Sequence, residues 1–227
     1  MTATRRVSVL LALVVTGLML AACGDGAEPQ RAAYTFHRED SGIKVDTPAL
    51  RALKSSTLLA PCPVTDPVDG AVDGAVDGAV EDGLPDLTLP CLGGGRAVDL
   101  ADLRGPLLVN FWAQSCGPCQ DESPLLEELS RSADGRVGVV GVDFIDPMPG
   151  LAIGFAKQLG LSYPQLADPA GAAKAPLRIA ALPYTFFVDP SGRITYTQIG
   201  PIESSAQLSA LVREHLGVRL RDLGGSS

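Results

Sequence analysis

The sequence predicts an α/β fold, a central mixed sheet flanked by helices and preceded by an N-terminal extension. Three observations point there. Leu107 to Ala113 is a continuous apolar run, as expected of a central strand covered on both faces, and it leads at once into Cys116-Gly117-Pro118-Cys119. The residues after that motif repeat with a helical period, and Val137 to Val142 is a second buried-strand run. Later, Tyr184 to Val188 and Arg193 to Ile199 flank the turn Asp189-Pro190-Ser191-Gly192, which makes them a β-hairpin.

The chain starts elsewhere in character. Met1 to Arg6 carries two positive charges and no negative ones, and Val7 to Leu20 is a 14-residue apolar stretch. That is shorter than the roughly 20 residues a spanning helix needs. With the small residues that follow, it reads as a secretory signal over 1–22. Leu20-Ala21-Ala22-Cys23 resembles the lipobox of bacterial lipoproteins, which implies that Cys23 is diacylated and becomes the new N-terminus. Ordinary cleavage with Cys23 incidental is the simpler alternative. Without Arg5 and Arg6 the chain has 16 Lys+Arg against 26 Asp+Glu, a net charge of −10. An acidic surface argues against nucleic acid and against electrostatic docking on anionic lipid, so two acyl chains would have to supply any attachment to the membrane.

Residues 23–83 read as a tether and acidic low-complexity loop. Gly24 to Pro48 is polar without a period, and Leu50 to Leu59 has the character of a short helix or docked segment. Val68 to Ala79 is Val-Asp-Gly-Ala three times over. Glycine at every fourth position opposes both helix and strand, and one Asp in four lacks calcium-loop spacing. The folded domain is expected over 84–218. Leu87 to Leu89 and Ala97 to Leu100 read as short strands, Gln120 to Ser132 as a helix kinked by Pro124, Leu151 to Leu159 as a helix stopped by Gly160, and Ser204 to Leu216 as a closing amphipathic helix. Residues 219–227 read as a disordered tail.

Four cysteines remain besides Cys23. An even count in an exported chain suggests two pairs: Cys116 with Cys119, and Cys62 with Cys91 as a structural bridge, two free thiols being the alternative for the second. Cys116 lies over a helix N-terminus, where free N–H groups and the macrodipole favour a thiolate, and Cys119 follows one turn later. That is the arrangement reversible dithiol–disulfide chemistry needs. Half a zinc site is the competing reading, but His37 and His215 lie far from any second CxxC. No metal or cofactor is expected. Glu122, one turn beyond Cys119, can face the same interior. It is either a half-buried carboxyl that relays the resolving cysteine's proton or an ordinary first-turn glutamate.

The order strand, CxxC helix, strand, helix, hairpin, helix, together with Asn110-Phe111-Trp112-Ala113 before the cysteines and Leu182-Pro183-Tyr184-Thr185-Phe186-Phe187-Val188-Asp189 near the end, resembles the thioredoxin superfamily. More narrowly, it resembles the exported TlpA/ResA-type thiol–disulfide oxidoreductases, over roughly 84–216. Asp99 to Gly105 looks like that family's lead-in to the central strand. The resemblance implies a membrane-anchored, extracytoplasmic reductase, from a subfamily that includes proteins reducing apocytochrome c before haem attachment. It implies Cys116 as nucleophile, Cys119 as resolving cysteine, a catalytic Glu122, and a cis peptide before Pro183 beside the dithiol. It also implies disulfide- or dithiol-bearing exported proteins as partners, a membrane thiol–disulfide electron donor, and a monomer. Ser115 departs from the pattern, standing where the family usually has tryptophan. An oxidant of exported proteins and a non-catalytic binding module are the rival readings. Peroxide reduction is set aside, because Val109 and Ala113 stand where the Pro and Thr/Ser of a peroxidatic approach belong.

Overall fold

The structure is a computed structural model, and it describes residues 41–64 and 80–220. The proposed signal, Cys23, His37, the Val-Asp-Gly-Ala repeats and the end of the tail lie outside the described residues.

The elements run α1 (Pro48–Lys54), β1 (Thr88–Leu89), β2 (Val98–Asp99), a single 3-10 turn (Leu100–Asp102), β3 (Leu107–Trp112), α2 (Gly117–Ser132), β4 (Gly138–Phe144), α3 (Pro149–Gln158), β5 (Gln165–Asp168), β6 (Tyr184–Val188), β7 (Ile194–Ile199) and α4 (Ser205–Leu216). The last five strands named, with β3 at the centre, form one mixed sheet in the order β5-β4-β3-β6-β7. β3 is parallel to β4 and antiparallel to β6. All six residues of β3 are buried, which is why its sequence is apolar without alternation.

Alternate β3 residues serve two cores. Val109 and Phe111 face one side with Val142, Phe144, Phe186 and Val188. Phe111 meets Phe144 and Phe186 edge-on at 5.5 and 5.8 Å, a geometry aromatic rings favour. Leu108 faces the other side, against Leu126 and Leu129 of α2 and Leu208 and Val212 of α4. Trp112 lies on that second side too, in a smaller cluster with Cys119 of α2 and Ile153 of α3.

Several helix ends have a local cause. Ser204 caps α4 by accepting from Gln207 N, and Gly217 terminates it at φ 68°. Gly160 follows α3 at φ 64°, where an L side chain is disfavoured. The sequence expectation placed the start of the CxxC helix at Gln120. The structure starts it at Gly117 because Cys116 itself is the cap. Pro124 sits inside α2, which continues through it to Ser132.

Two expectations are corrected. The tether reading fails over the described part of 41–64. Val45 is buried and α1 packs Leu50 and Leu53 against the Trp112 cluster, because these apolar residues find a partner face on the sheet. Ala60 N also donates to Ser162 O at 2.8 Å. At the other end, Arg219 and Leu220 are not tail: Leu220 joins the second core and Arg136 Nη1 donates to Arg219 O. β5 was not foreseen, since its four residues carry two polar side chains, Gln165 and Asp168, both buried.

Candidate active site

The site forms where β3 ends and α2 begins. Cys116 has extended backbone (φ −88°, ψ 104°), and its Sγ accepts from Cys119 N at 3.2 Å. A sulfur held against the first free N–H groups of a helix is stabilised as a thiolate. Pro118 in the first turn sacrifices no helical bond, since its missing N–H would have been unpaired there. Cys116 and Cys119 are joined as a disulfide. Cys116 is half-buried while Cys119 keeps only 2% of its surface, so an incoming group meets Cys116 first.

Cys116 opens on a cleft of about 290 Å³ lined by Ser115, Ile145, Lys174, Ile179 and Leu182 among others. The Leu182–Pro183 peptide is cis, and Leu182 shares this cleft with Cys116. Ser115, where tryptophan was expected by resemblance, leaves the mouth of the cleft polar on that side. Ile145 holds φ 52°, an uncommon setting for a β-branched residue, and is exposed in the cleft it shares with Cys116.

Glu122 is 1% exposed on the face of α2 that looks into the sheet. Its Oε1 accepts from Asn110 Nδ2 at 3.0 Å and from Thr185 Oγ1 at 3.3 Å, and its Oε2 accepts from Ile202 N at 3.1 Å. Burial disfavours the charged form and pushes the carboxyl up to about 7, while the Ile202 and Thr185 bonds pull the other way. A simple dipole-complementing glutamate would sit in solvent; this one does not.

The sequence reading left Asn110 without a role and passed over Thr185. They face each other across β3 and β6, with Asn110 Nδ2 donating to Thr185 Oγ1 at 2.9 Å, and together they hold the Glu122 carboxyl. A polar residue in the middle of an apolar strand was the available signal. Asp143 was also missed. It lies beside Trp112 in register, 2% exposed, with Oδ1 unpartnered. Burial first, then the neighbouring Asp146, pushes its carboxyl up to about 9. Asp146 in turn accepts from Gln114 N at 3.2 Å, in the loop leading to Cys116. Trp112 donates Nε1 to Gln165 Oε1 at 2.8 Å.

The second cysteine pair, Cys62 and Cys91, forms a disulfide that ties the segment beside α1 to β5. Among the described residues, no group of three or more His, Cys, Asp or Glu side chains is placed to hold a metal. No described helix is long and apolar enough to cross a membrane.

Comparisons with known proteins agree with this geometry. A thiol:disulfide interchange protein of Paracoccus denitrificans, a DsbE homolog, is 44% identical over 99 residues, which are 43% of this chain and 52% of that protein. The thiol:disulfide interchange protein HelX of Rhodobacter capsulatus is 40% identical over 121 residues, 52% of this chain and 66% of that one. The matches thus span about half to two thirds of these relatives. The crystal structure of a secreted Mycobacterium tuberculosis disulfide oxidoreductase homologous to E. coli DsbE superposes with a TM-score of 0.51 at 25% identity, covering 57% of this chain and 96% of that one. The fold is therefore thioredoxin-like. The AhpC/TSA family model matches residues 80–197, the stretch that holds β3 to β6, most of β7 and the Cys116–Cys119 pair, and the chain belongs to that family.

Proposed function

We propose that this protein is a thiol–disulfide oxidoreductase that exchanges its Cys116–Cys119 dithiol or disulfide with partner proteins, and that it works as a reductase. The observation that carries the reading is the unequal placement of the two sulfurs: Cys116 half-exposed on a helix N-terminus beside an open cleft, Cys119 buried behind it. In the reduced form, the Cys116 thiolate attacks one sulfur of a partner disulfide and forms a mixed disulfide, with the electron pair leaving on the partner's other sulfur. Cys119 then loses its proton and attacks Cys116 Sγ, which releases the reduced partner and closes the internal bond. Glu122 is the group that takes the Cys119 proton. Its carboxyl lies one turn along the same helix and has an affinity for protons matched to neutral pH.

The relatives' names as interchange proteins support exchange chemistry. The lipobox-like Leu20-Ala21-Ala22-Cys23 supports anchoring through lipid on Cys23 at the extracytoplasmic face of the membrane, with exported thiol proteins, apocytochrome c among them, as partners. Insulin reduction with dithiothreitol as donor tests the enzyme assignment. Wild type accelerates precipitation and Cys116→Ser runs at the uncatalysed rate; equal rates for the two defeat the proposal. Direction is read from the dithiol's equilibrium with a glutathione buffer. A potential near thioredoxin's, about −270 mV, fits a reductase, and one near DsbA's, about −120 mV, makes the protein an oxidant.

A further inference from the structure

The Cys62–Cys91 bridge has surroundings that suit two thiols better than a disulfide. Lys54, the last residue of α1, places Nζ 3.0 Å from Cys91 Sγ and 2.8 Å from Gly94 O. A disulfide sulfur is a weak acceptor for an ammonium; a thiolate is a strong one. The lysine is half-buried, and burial lowers its affinity for its proton, while the nearby Asp46 opposes that. Asp46 is itself clamped by Arg51, whose Nη2 donates to Oδ2 at 2.8 Å. On the other side, Cys62 Sγ lies 3.3 Å from Gln165 O. A carbonyl oxygen repels a thiolate and accepts from an S–H. The two sulfurs are thus differentiated: one faces a cation, the other a neutral acceptor.

We propose that Cys62–Cys91 is a second, reducible thiol–disulfide centre, whose open form is a Cys91 thiolate paired with the Lys54 ammonium and a Cys62 thiol donating to Gln165 O. Cys62 keeps 7% of its surface and Cys91 1%, so Cys62 is the sulfur attacked. The reductant is a dithiol. Its first thiolate bonds to Cys62 Sγ as the Cys62–Cys91 bond breaks, and the electron pair leaves on Cys91 Sγ, beside Lys54. The dithiol's second thiol loses its proton and attacks the dithiol's own bridging sulfur, and Cys62 leaves and takes up a proton. The dithiol is oxidised to a disulfide, two electrons enter the protein, and one proton is released overall because Cys91 stays ionised. The centre is wired to the first by packing. Leu50 and Leu53 of α1 lie in one cluster with Trp112 and Cys119, and the Gln165 side chain accepts from Trp112.

The test uses the full chain with Cys116→Ser and Cys119→Ser, so it is independent of the first centre. The protein is equilibrated in reduced and oxidised dithiothreitol at pH 6, 7 and 8, quenched with acid, alkylated and weighed by mass spectrometry. Circular dichroism follows the fold. The bridge is expected to open reversibly with the fold intact, and its opening constant to rise with pH, up to tenfold per unit, because one proton is released. Lys54→Met removes the cation. Its opening constant at pH 7 falls about tenfold and stays flat until the ordinary cysteine range near 8.5. Lys54→Arg retains the wild-type slope. A second measurement frees Cys91 with Cys62→Ser and titrates its thiolate absorbance at 240 nm, with a midpoint expected below the ordinary cysteine value of about 8.5. A bridge that opens only as the fold collapses, a Lys54→Met slope equal to wild type, or a Cys91 midpoint at 8.5 or above overturns the proposal.

Discussion

Replacing Glu122 by Gln tests whether a titrating carboxyl lies behind the dithiol. The folded protein holds this carboxyl at about 7, against an ordinary 4.5. Between those values the folded state keeps a proton that the unfolded chain has lost. Stability therefore falls as pH rises from 4.5 to 7 and is level, for this group, above it. The gap of 7 − 4.5 pH units, at 1.36 kcal/mol per unit, amounts to about 3 kcal/mol. Gln removes this slope. Its Oε1 still accepts from Asn110 and Thr185, but its amide nitrogen confronts Ile202 N, which has donated to Oε2. One buried donor left without an acceptor costs about 1–3 kcal/mol. At pH 5 the variant is thus less stable than wild type by that amount. At pH 8 the wild type carries its full charge penalty, and the difference closes or reverses. Urea unfolding of the oxidised proteins at pH 5, 6, 7 and 8 reads the change directly, and Asp143 titrates equally in both and cancels. A stability gap that stays constant within about 0.5 kcal/mol across this range refutes the argument, because the Glu122 carboxyl then does not titrate differently in the two states.

Three further outcomes follow from the geometry. Cys119→Ser leaves Cys116 with no resolving partner, so the mixed disulfide with a substrate should accumulate as a covalent complex on non-reducing gels, whereas Cys116→Ser should trap none. Asp143→Asn removes a carboxyl held at about 9 against an ordinary 3.8, a shift whose sign again makes stability fall with rising pH. The variant should gain up to about 4 kcal/mol at pH 7 in urea unfolding and show a flatter pH profile, and a loss of stability there contradicts the burial argument. Gly141→Ala places a Cβ 2.0 Å from Gln165 Oε1, the acceptor for Trp112 Nε1. It should cost about 1–3 kcal/mol and shift the fluorescence of Trp112, the chain's single tryptophan, while an unchanged spectrum shows that the indole bond survives.

Much of the sheet was legible because its central strands are buried on both faces and so carry uninterrupted apolar runs. β3, β4, β6 and the hairpin partner β7 all announce themselves this way or by their turn. β5 did not, because its Gln165 and Asp168 are satisfied by partners that lie outside the strand. Asp168 accepts from Ala172 N and Ala173 N at 2.8 Å each, and Gln165 serves Trp112 from 53 positions away. Propensity cannot see a polar residue whose acceptor or donor arrives from another element. The same limit hid the packing of residues 43–48, which look polar and irregular in isolation: only the presence of the sheet gives Val45 somewhere to go, whereas Leu50 to Leu59 already read as a short helix or docked segment.

By itself, the sequence determined the α/β class, the strand-to-helix position of Cys116 and Cys119, and the one-turn spacing that brings their sulfurs together, since these rest on local periodicity and short-range geometry. Tertiary structure alone decided which cysteine is exposed, that Asn110 and Thr185 hold the Glu122 carboxyl, and that Lys54 meets Cys91. Those contacts join residues 12 to 75 positions apart. Burial and the energy of an ion or a proton at such a site depend on what the packed chain excludes from around it, a quantity no local stretch of sequence contains.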